Sequence, residues 1–285
     1  MKPLLAVSAT LLIACIEFFS PSYSQSASQK SVKLEYSFAA GNVKYLSTSK
    51  IIQTMDIEGQ SMQANVFSTL GCTIKPAGKQ DGYLKLEVKI DTMGQNTESP
   101  QGYSGGAVAD AIGKTFNLTI SPSGKETDLS GAANIVFYIE GSGRSDLSQS
   151  FTDYFPDLPE KPVTPGYAWS STDTVRAKSE TMSVLMIIKS ENTFEGFETV
   201  DGTECAKIVS VLSGSRDVKT QTQGMDIRMR GPFTGSGTLF FAPVKGYFLK
   251  HMVTTKMDGS MEITSPEAMT FPVVMDMTSV NEVVK

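Results

Sequence analysis

The chain has 285 residues, 40% of them hydrophobic, and carries 25 basic against 30 acidic side chains for a net charge of −5. A mildly acidic chain of mixed sign excludes a nucleic-acid partner, which would need a basic stripe. The length is ample for a stable core without metals, and three cysteines are too few for a dense disulfide framework.

Lys2, an apolar run from Leu4 to Ile16 and the small, polar stretch from Ser20 to Ser26 follow the charged–apolar–small order of a secretory signal peptide. Ser22 and Ser24 suit the pockets of a signal peptidase, so residues 1–24 read as a signal peptide and 25–285 as one β domain, exported to the periplasm or the cell exterior. Leu12-Ile13-Ala14-Cys15 offers an alternative, a lipobox whose cysteine would be lipidated and tether the chain to a membrane. No later segment is long and apolar enough to cross one as a helix.

Beyond the leader the dominant period is two, which reads as strand. Leu84, Leu86, Val88 and Ile90 alternate with Lys85, Glu87 and Lys89; Met225, Ile227 and Met229 alternate with Asp226, Arg228 and Arg230; Val273, Met275 and Met277 share a third face. Turn signals separate the strands at Glu58-Gly59, Asp81-Gly82, Ser123-Gly124, Asp201-Gly202 and Asp258-Gly259. Residues 95–104 read as a mobile loop, 105–113 as a helical turn of small residues at best, and the glycines from Gly231 to Gly237 as a bend between strands. Ser145 caps a predicted amphipathic helix near 146–155 that carries Leu147, Phe151, Tyr154 and Phe155 on one side. Four prolines at 156, 159, 162 and 165 then make an extended crossover, 156–165.

The chain also repeats itself. Tyr45-Leu46-Ser47-Thr48 returns as Trp169-Ser170-Ser171-Thr172, Asp81-Gly82 and Gly94 return as Asp201-Gly202 and Gly214, and Pro122 at a strand end returns as Pro243. One structural unit used twice, over about 41–140 and 166–265, is the simplest reading. The predicted fold is therefore all-β with a minor helix: two pseudo-repeated antiparallel half-sheets forming a curved sheet or half-barrel, under one short covering helix.

Gly166-Tyr167-Ala168-Trp169, preceded by Phe155-Pro156-Asp157-Leu158-Pro159 and, upstream, by the strand from Phe116 to Gly124, resembles an exported bacterial family known only as a domain of unknown function. That resemblance brings no catalytic residues. More distantly, the architecture is similar to the half-barrels of periplasmic lipoprotein carriers, in which acyl chains lie between a concave sheet and covering helices. This second likeness is of fold pattern, which does not by itself fix function.

Chemistry is sparse along the chain. His251 is the single histidine, and neither a Gly-x-Ser-x-Gly elbow nor a Cys-x-x-Cys pair is present. His251 reads as a solvated or satisfied strand residue and the Asp-Gly pairs as turns, so no catalytic residue and no cofactor is assigned. Thirteen methionines follow the initiator, most of them scattered through strands rather than clustered, which suits filling of an irregular interior better than copper binding; no metal site is expected. Cys72 and Cys205, one in each half, are candidates for a disulfide in an oxidising compartment, with two separate buried thiols as the alternative. The functional expectation is non-enzymatic binding of a hydrophobic, lipid-like molecule between the half-sheets, with Tyr45, Phe151, Trp169, Met182, Met186, Met225 and Met229 as cavity candidates. An envelope module that pairs with another protein through strand edges is the alternative, and a hydrolase of unrecognised type ranks third.

Overall fold

The structure, a computed structural model, describes residues 31–57, 59–100, 102–139, 143–222, 224–265 and 268–285. Residues 1–24, read from sequence as a signal peptide, and Cys15 lie outside the described residues. Fourteen strands and two short helices follow one another: β1 (Val43–Ile57), β2 (Gln60–Gln80), β3 (Tyr83–Ser99), β4 (Gly102–Ala107), β5 (Thr115–Ile120), β6 (Glu126–Asp128), α1 (Ser130–Ala133), β7 (Val136–Ile139), β8 (Gly143–Asp146), α2 (Ser148–Phe151), β9 (Ala168–Lys178), β10 (Met182–Val200), β11 (Thr203–Thr222), β12 (Met225–Ala242), β13 (Tyr247–Ser265) and β14 (Met269–Val284).

Twelve strands make one antiparallel sheet in the order β6-β5-β3-β2-β1-β14-β13-β12-β11-β10-β9, with β4 also on β3. The sheet is not closed into a barrel. Its seam joins the two ends of the chain: β1 pairs with β14 from Lys44↔Val284 to Met55↔Val273. Asp81 and Asp201, at φ of 53° and 48°, begin equivalent turns between β2 and β3 and between β10 and β11, so the Asp-Gly repeat marks the same corner of two meanders.

Alternation decides which face is which. Outward residues carry the charge, and opposite signs meet across neighbouring strands in Lys75–Glu87, Lys250–Glu282, Arg228–Asp217 and Arg230–Glu262. Inward residues build two apolar regions. The first lies at the end holding the Asp-Gly turns, where Tyr45, Ile74, Leu86, Ile90, Phe241 and Phe248 are buried together with residues from outside the sheet. The second, in the opposite half of the strands, is rich in methionine: Met229, Phe233, Met257, Val273 and Met275, with Met55, Met182, Met186 and Met261 against them.

The gap between the edge strands β6 and β9 is spanned by the crossover. Here the structure corrects several expectations. Instead of one helix over 146–155 there are two of four residues each, Ser130–Ala133 and Ser148–Phe151, and Ser145 is not the cap, because it lies in β8 and pairs with Phe137 of β7. The Asp146 carboxylate instead accepts the Ser148 backbone N–H at 2.9 Å. The described residues between 95 and 104 are not a loop: 95–99 lie in β3 and 102–104 in β4, with Gln95 paired to Gly106. Gly231 and Gly237 lie inside β12, where Gly231 lets that strand approach Gly259.

The crossover holds both edges. Glu180 N–H donates to the Arg144 carbonyl at 2.9 Å, next to β9, and Leu158 N–H donates to the Ser123 carbonyl at 2.8 Å, next to β6. Glu126 accepts the backbone N–H groups of Asp153, Tyr154 and Phe155 at 3.3, 2.9 and 3.1 Å. Phe151 and Phe155 are thereby driven into the aromatic end, where Phe151 meets Phe116 edge-on at 5.0 Å and Phe155 meets Tyr36 at 5.5 Å. Tyr36 and Phe38 come from the segment before β1, anchored by the Gly246 carbonyl and by the antiparallel bridge Val32↔Val163.

Cys72 and Cys205 are not joined; both are free and buried. Cys72 is on β2 and Cys205 on β11, five strand spacings apart in the sheet order, roughly 24 Å measured along the sheet. A disulfide needs Cα atoms within about 7 Å. The Cys72 sulfur lies 3.4 Å from the Tyr154 hydroxyl, and Cys205 is turned to the Thr203 carbonyl at 3.6 Å.

Candidate functional site

The concave face encloses a cavity of about 370 Å³ between the inner face of the sheet and the crossover. A second space of about 390 Å³ lies towards β3 and the β7–β8 pair. Ser47, Leu70, Ser150, Arg216 and Ser279 line both, so the two meet around these residues.

Strand phase explains the lining. On β11 the inward positions are Ile208, Ser210, Leu212, Gly214, Arg216 and Val218; on β13 they are His251, Val253, Thr255 and Met257; on β14, Met275, Met277, Ser279 and Asn281. One wall is thus apolar (Met186, Ile188, Phe233, Met257, Met275) and another carries hydroxyls and amides, Ser190, Asn192, Ser210, Ser279 and Asn281 among them. Ser210 donates to the Asn192 amide oxygen at 2.5 Å, which holds that pair in place. Gly214 is small by necessity: a Cβ there would stand 1.9 Å from the Ile187 carbonyl oxygen and 2.7 Å from the Phe233 ring.

Among the described residues, Arg216 is the one arginine or lysine of the lining, which also carries Asp153, Asp157 and Asp173. Its side chain crosses the interior from β11 towards β14, where Nη1 donates to the Met275 sulfur at 3.2 Å. Nε is buried with no hydrogen-bond partner, and no carboxylate lies within ion-pair distance among the described residues. Burial pushes its pKa down, yet a guanidinium stays charged. On β12 the contrast is plain, since Arg228 and Arg230 hold Asp217 and Glu262 at 2.5 and 2.6 Å.

His251 lines the cavity opposite Asn281, and burial pulls it down to about 4, so it is neutral near pH 7. Among the described residues no hydroxyl or thiol is hydrogen-bonded to its ring. Asp153, Asp157 and Asp173 lie along the crossover and β9 side of the same cavity. Burial and then the charge of Asp173 raise Asp157 to about 6. No group of three or more His, Cys, Asp or Glu placed to hold a metal ion occurs among the described residues.

The cavity candidates divide. Met186 lines the first cavity and Met182 the second. Met229 is buried in the methionine-rich region behind the lining, and Met225 stands at the start of β12 away from it. Tyr45 and Phe151 belong to the aromatic end: Tyr45 donates to the Phe248 carbonyl at 2.8 Å, and Phe151 is wholly buried. Trp169 stacks on Tyr167 at 6.1 Å, outside both cavities. Sequence reasoning missed Arg216, the hydroxyl and amide wall and the place of His251. The signal was a charge in the inward phase of β11, flanked at steps of two by Leu212, Gly214 and Val218.

No family model matches the chain, and no curated protein does. Among solved structures, the crystal structure of Pseudomonas aeruginosa OccK2 (OpdF) in complex with glucuronate aligns at a TM-score of 0.23 and 6% identity, covering 89% of this chain and 100% of that one. A second structure of the same protein aligns at 0.24 and 8%, covering 87% and 99%. Scores this low carry no argument about shape or activity.

Proposed function

We propose that this protein is an exported, non-enzymatic binding protein or carrier that holds a hydrophobic, lipid-like molecule on the concave face of its open sheet. The observation that carries the reading is the cavity of about 370 Å³ with one wall of methionine, isoleucine, leucine and phenylalanine, a size at the lower end of small-molecule sites. Methionine adapts to ligands of varied shape. The outward face supports the same reading. Lys–Glu and Arg–Asp rungs run along it, where a bilayer-spanning barrel wears an apolar band. The greasy phase of the strands therefore serves an internal guest.

The test is direct. Protein purified without detergent is extracted with organic solvent and the extract examined by mass spectrometry, alongside titration with a fluorescent fatty acid. Co-extracted lipid and saturable binding are expected, and Leu212→Trp, which fills the cavity, is expected to abolish binding while leaving the unfolding midpoint within a few degrees. Absence of both lipid and saturable binding would defeat the reading.

A further inference from the structure

Resting on that binding reading, we infer that the guest is a single-chain amphiphile whose anionic head, a carboxylate or a phosphate, pairs with Arg216 while its apolar tail lies against the methionine-rich wall.

Arg216 offers five N–H donors, and the structure uses one of them, on a thioether, which is a weak acceptor. An isolated buried charge is costly to keep and is normally paired. The neighbouring strand shows that the sheet readily provides such partners, since Arg228 and Arg230 both have carboxylates. Arg216 instead lines the place where the two cavities meet, with no carboxylate within ion-pair distance among the described residues. Ser47, Ser150 and Ser279 line the same place. A guanidinium fork with hydroxyls around it matches the geometry of a carboxylate or phosphate head. Beside it Met186, Ile188, Phe233, Met257 and Met275 offer apolar surface and no charge. A fully polar anion would leave that wall without a partner, and a neutral lipid would leave the guanidinium without one. The amphiphile satisfies both.

The experiment uses the neutral dye Nile red bound to the full mature protein and displaced by four probes: myristate, tetradecyl phosphate, tetradecanol and inorganic phosphate. At least one charged amphiphile is expected to displace the dye at about tenfold lower concentration than the alcohol, as hydrogen bonds to a charged group warrant. Whichever of the two acts at the lower concentration identifies the head. Arg216→Met is expected to erase the preference and leave tetradecanol unchanged, and Arg216→Lys to retain part of it. Inorganic phosphate at millimolar concentration should not displace the dye. Equal displacement by acid and alcohol in the natural protein overturns the inference and needs no variant to read. Displacement by inorganic phosphate as strong as by the amphiphiles also overturns it, in favour of a free anion. Those failures differ from failure of the binding reading, in which Nile red itself shows no saturable binding.

Discussion

At the scale of single residues, the cavity holds a histidine whose protonation the fold opposes. Burial places the native pKa of His251 at about 4 against an ordinary 6.5. Between those values the unfolded chain binds a proton that the native state does not, so His251's contribution to stability is complete above pH 6.5 and is lost as pH falls to 4. Glu126 has the opposite sign: burial, partly offset by its three backbone N–H donors, raises it from 4.5 to about 7, so stability grows as pH falls through that range. Urea midpoints measured from pH 7.5 to 4 should therefore separate the two. The difference between the natural protein and His251→Gln should narrow towards acid, where the glutamine has no proton to take up; parallel curves would place the imidazole in water. Glu126→Ala, in turn, is expected to cost about 1–3 kcal/mol by orphaning N–H groups of the crossover. Hydrogen exchange should show the amides of Tyr154 and Phe155 losing protection first. Arg216 belongs to this scale too. It was readable only once the phase of β11 was known, because an arginine in an alternating strand looks the same from sequence whether it points out or in.

At the scale of elements, period-two runs and the Asp-Gly turns at Asp81 and Asp201 were legible, since strand and turn chemistry are local; Asp258-Gly259 is not a turn, because both residues lie inside β13 and pair with Val274 and Val273 of β14. The crossover was not. Ser145 and Asp146 have the composition of a helix start, but their backbone is claimed by pairing with β7, a contact that sequence spacing does not reveal. The repeated glycines of the two meanders make a related point, since Gly94 in β3 and Gly214 in β11 keep the same place for different reasons. A Cβ at Gly94 would come to 3.2 Å from the Gly106 carbonyl, a crowding that β4 can relieve at the sheet edge; at Gly214 it would meet backbone at 1.9 Å and the Phe233 ring in the sheet interior. Gly214→Ala should therefore destabilise by about 1–3 kcal/mol and Gly94→Ala by clearly less. Equal thermal shifts in the two variants would mean that the Phe233 ring moves aside freely.

At the scale of the whole molecule, the sheet is assembled from its last strand to its first: β14 pairs with β1, and the meander continues in both directions to edges that the crossover spans. The alternation made a curved β scaffold foreseeable, but which strands meet at the seam is a long-range choice that no local pattern encodes. The same arrangement leaves the interior open rather than filled. Five strands of the second half, β10 to β14, contribute Met186, Leu212, Phe233, Met257 and Met275 to this space, and Ser47 of β1 and Leu70 of β2 line it from the first half, so a guest that fills it contacts the halves at once. Its binding should thus stabilise the fold as a unit. For a ligand that binds only the native state, a concentration of 100 times Kd adds about 2.7 kcal/mol, which for a domain of this size corresponds to a rise of roughly 5–10 °C in Tm. Differential scanning fluorimetry with increasing myristate should show one transition moving upward with the logarithm of ligand concentration. A bound guest that left the midpoint in place, or split the transition in two, would mean that the cavity belongs to one half-sheet alone.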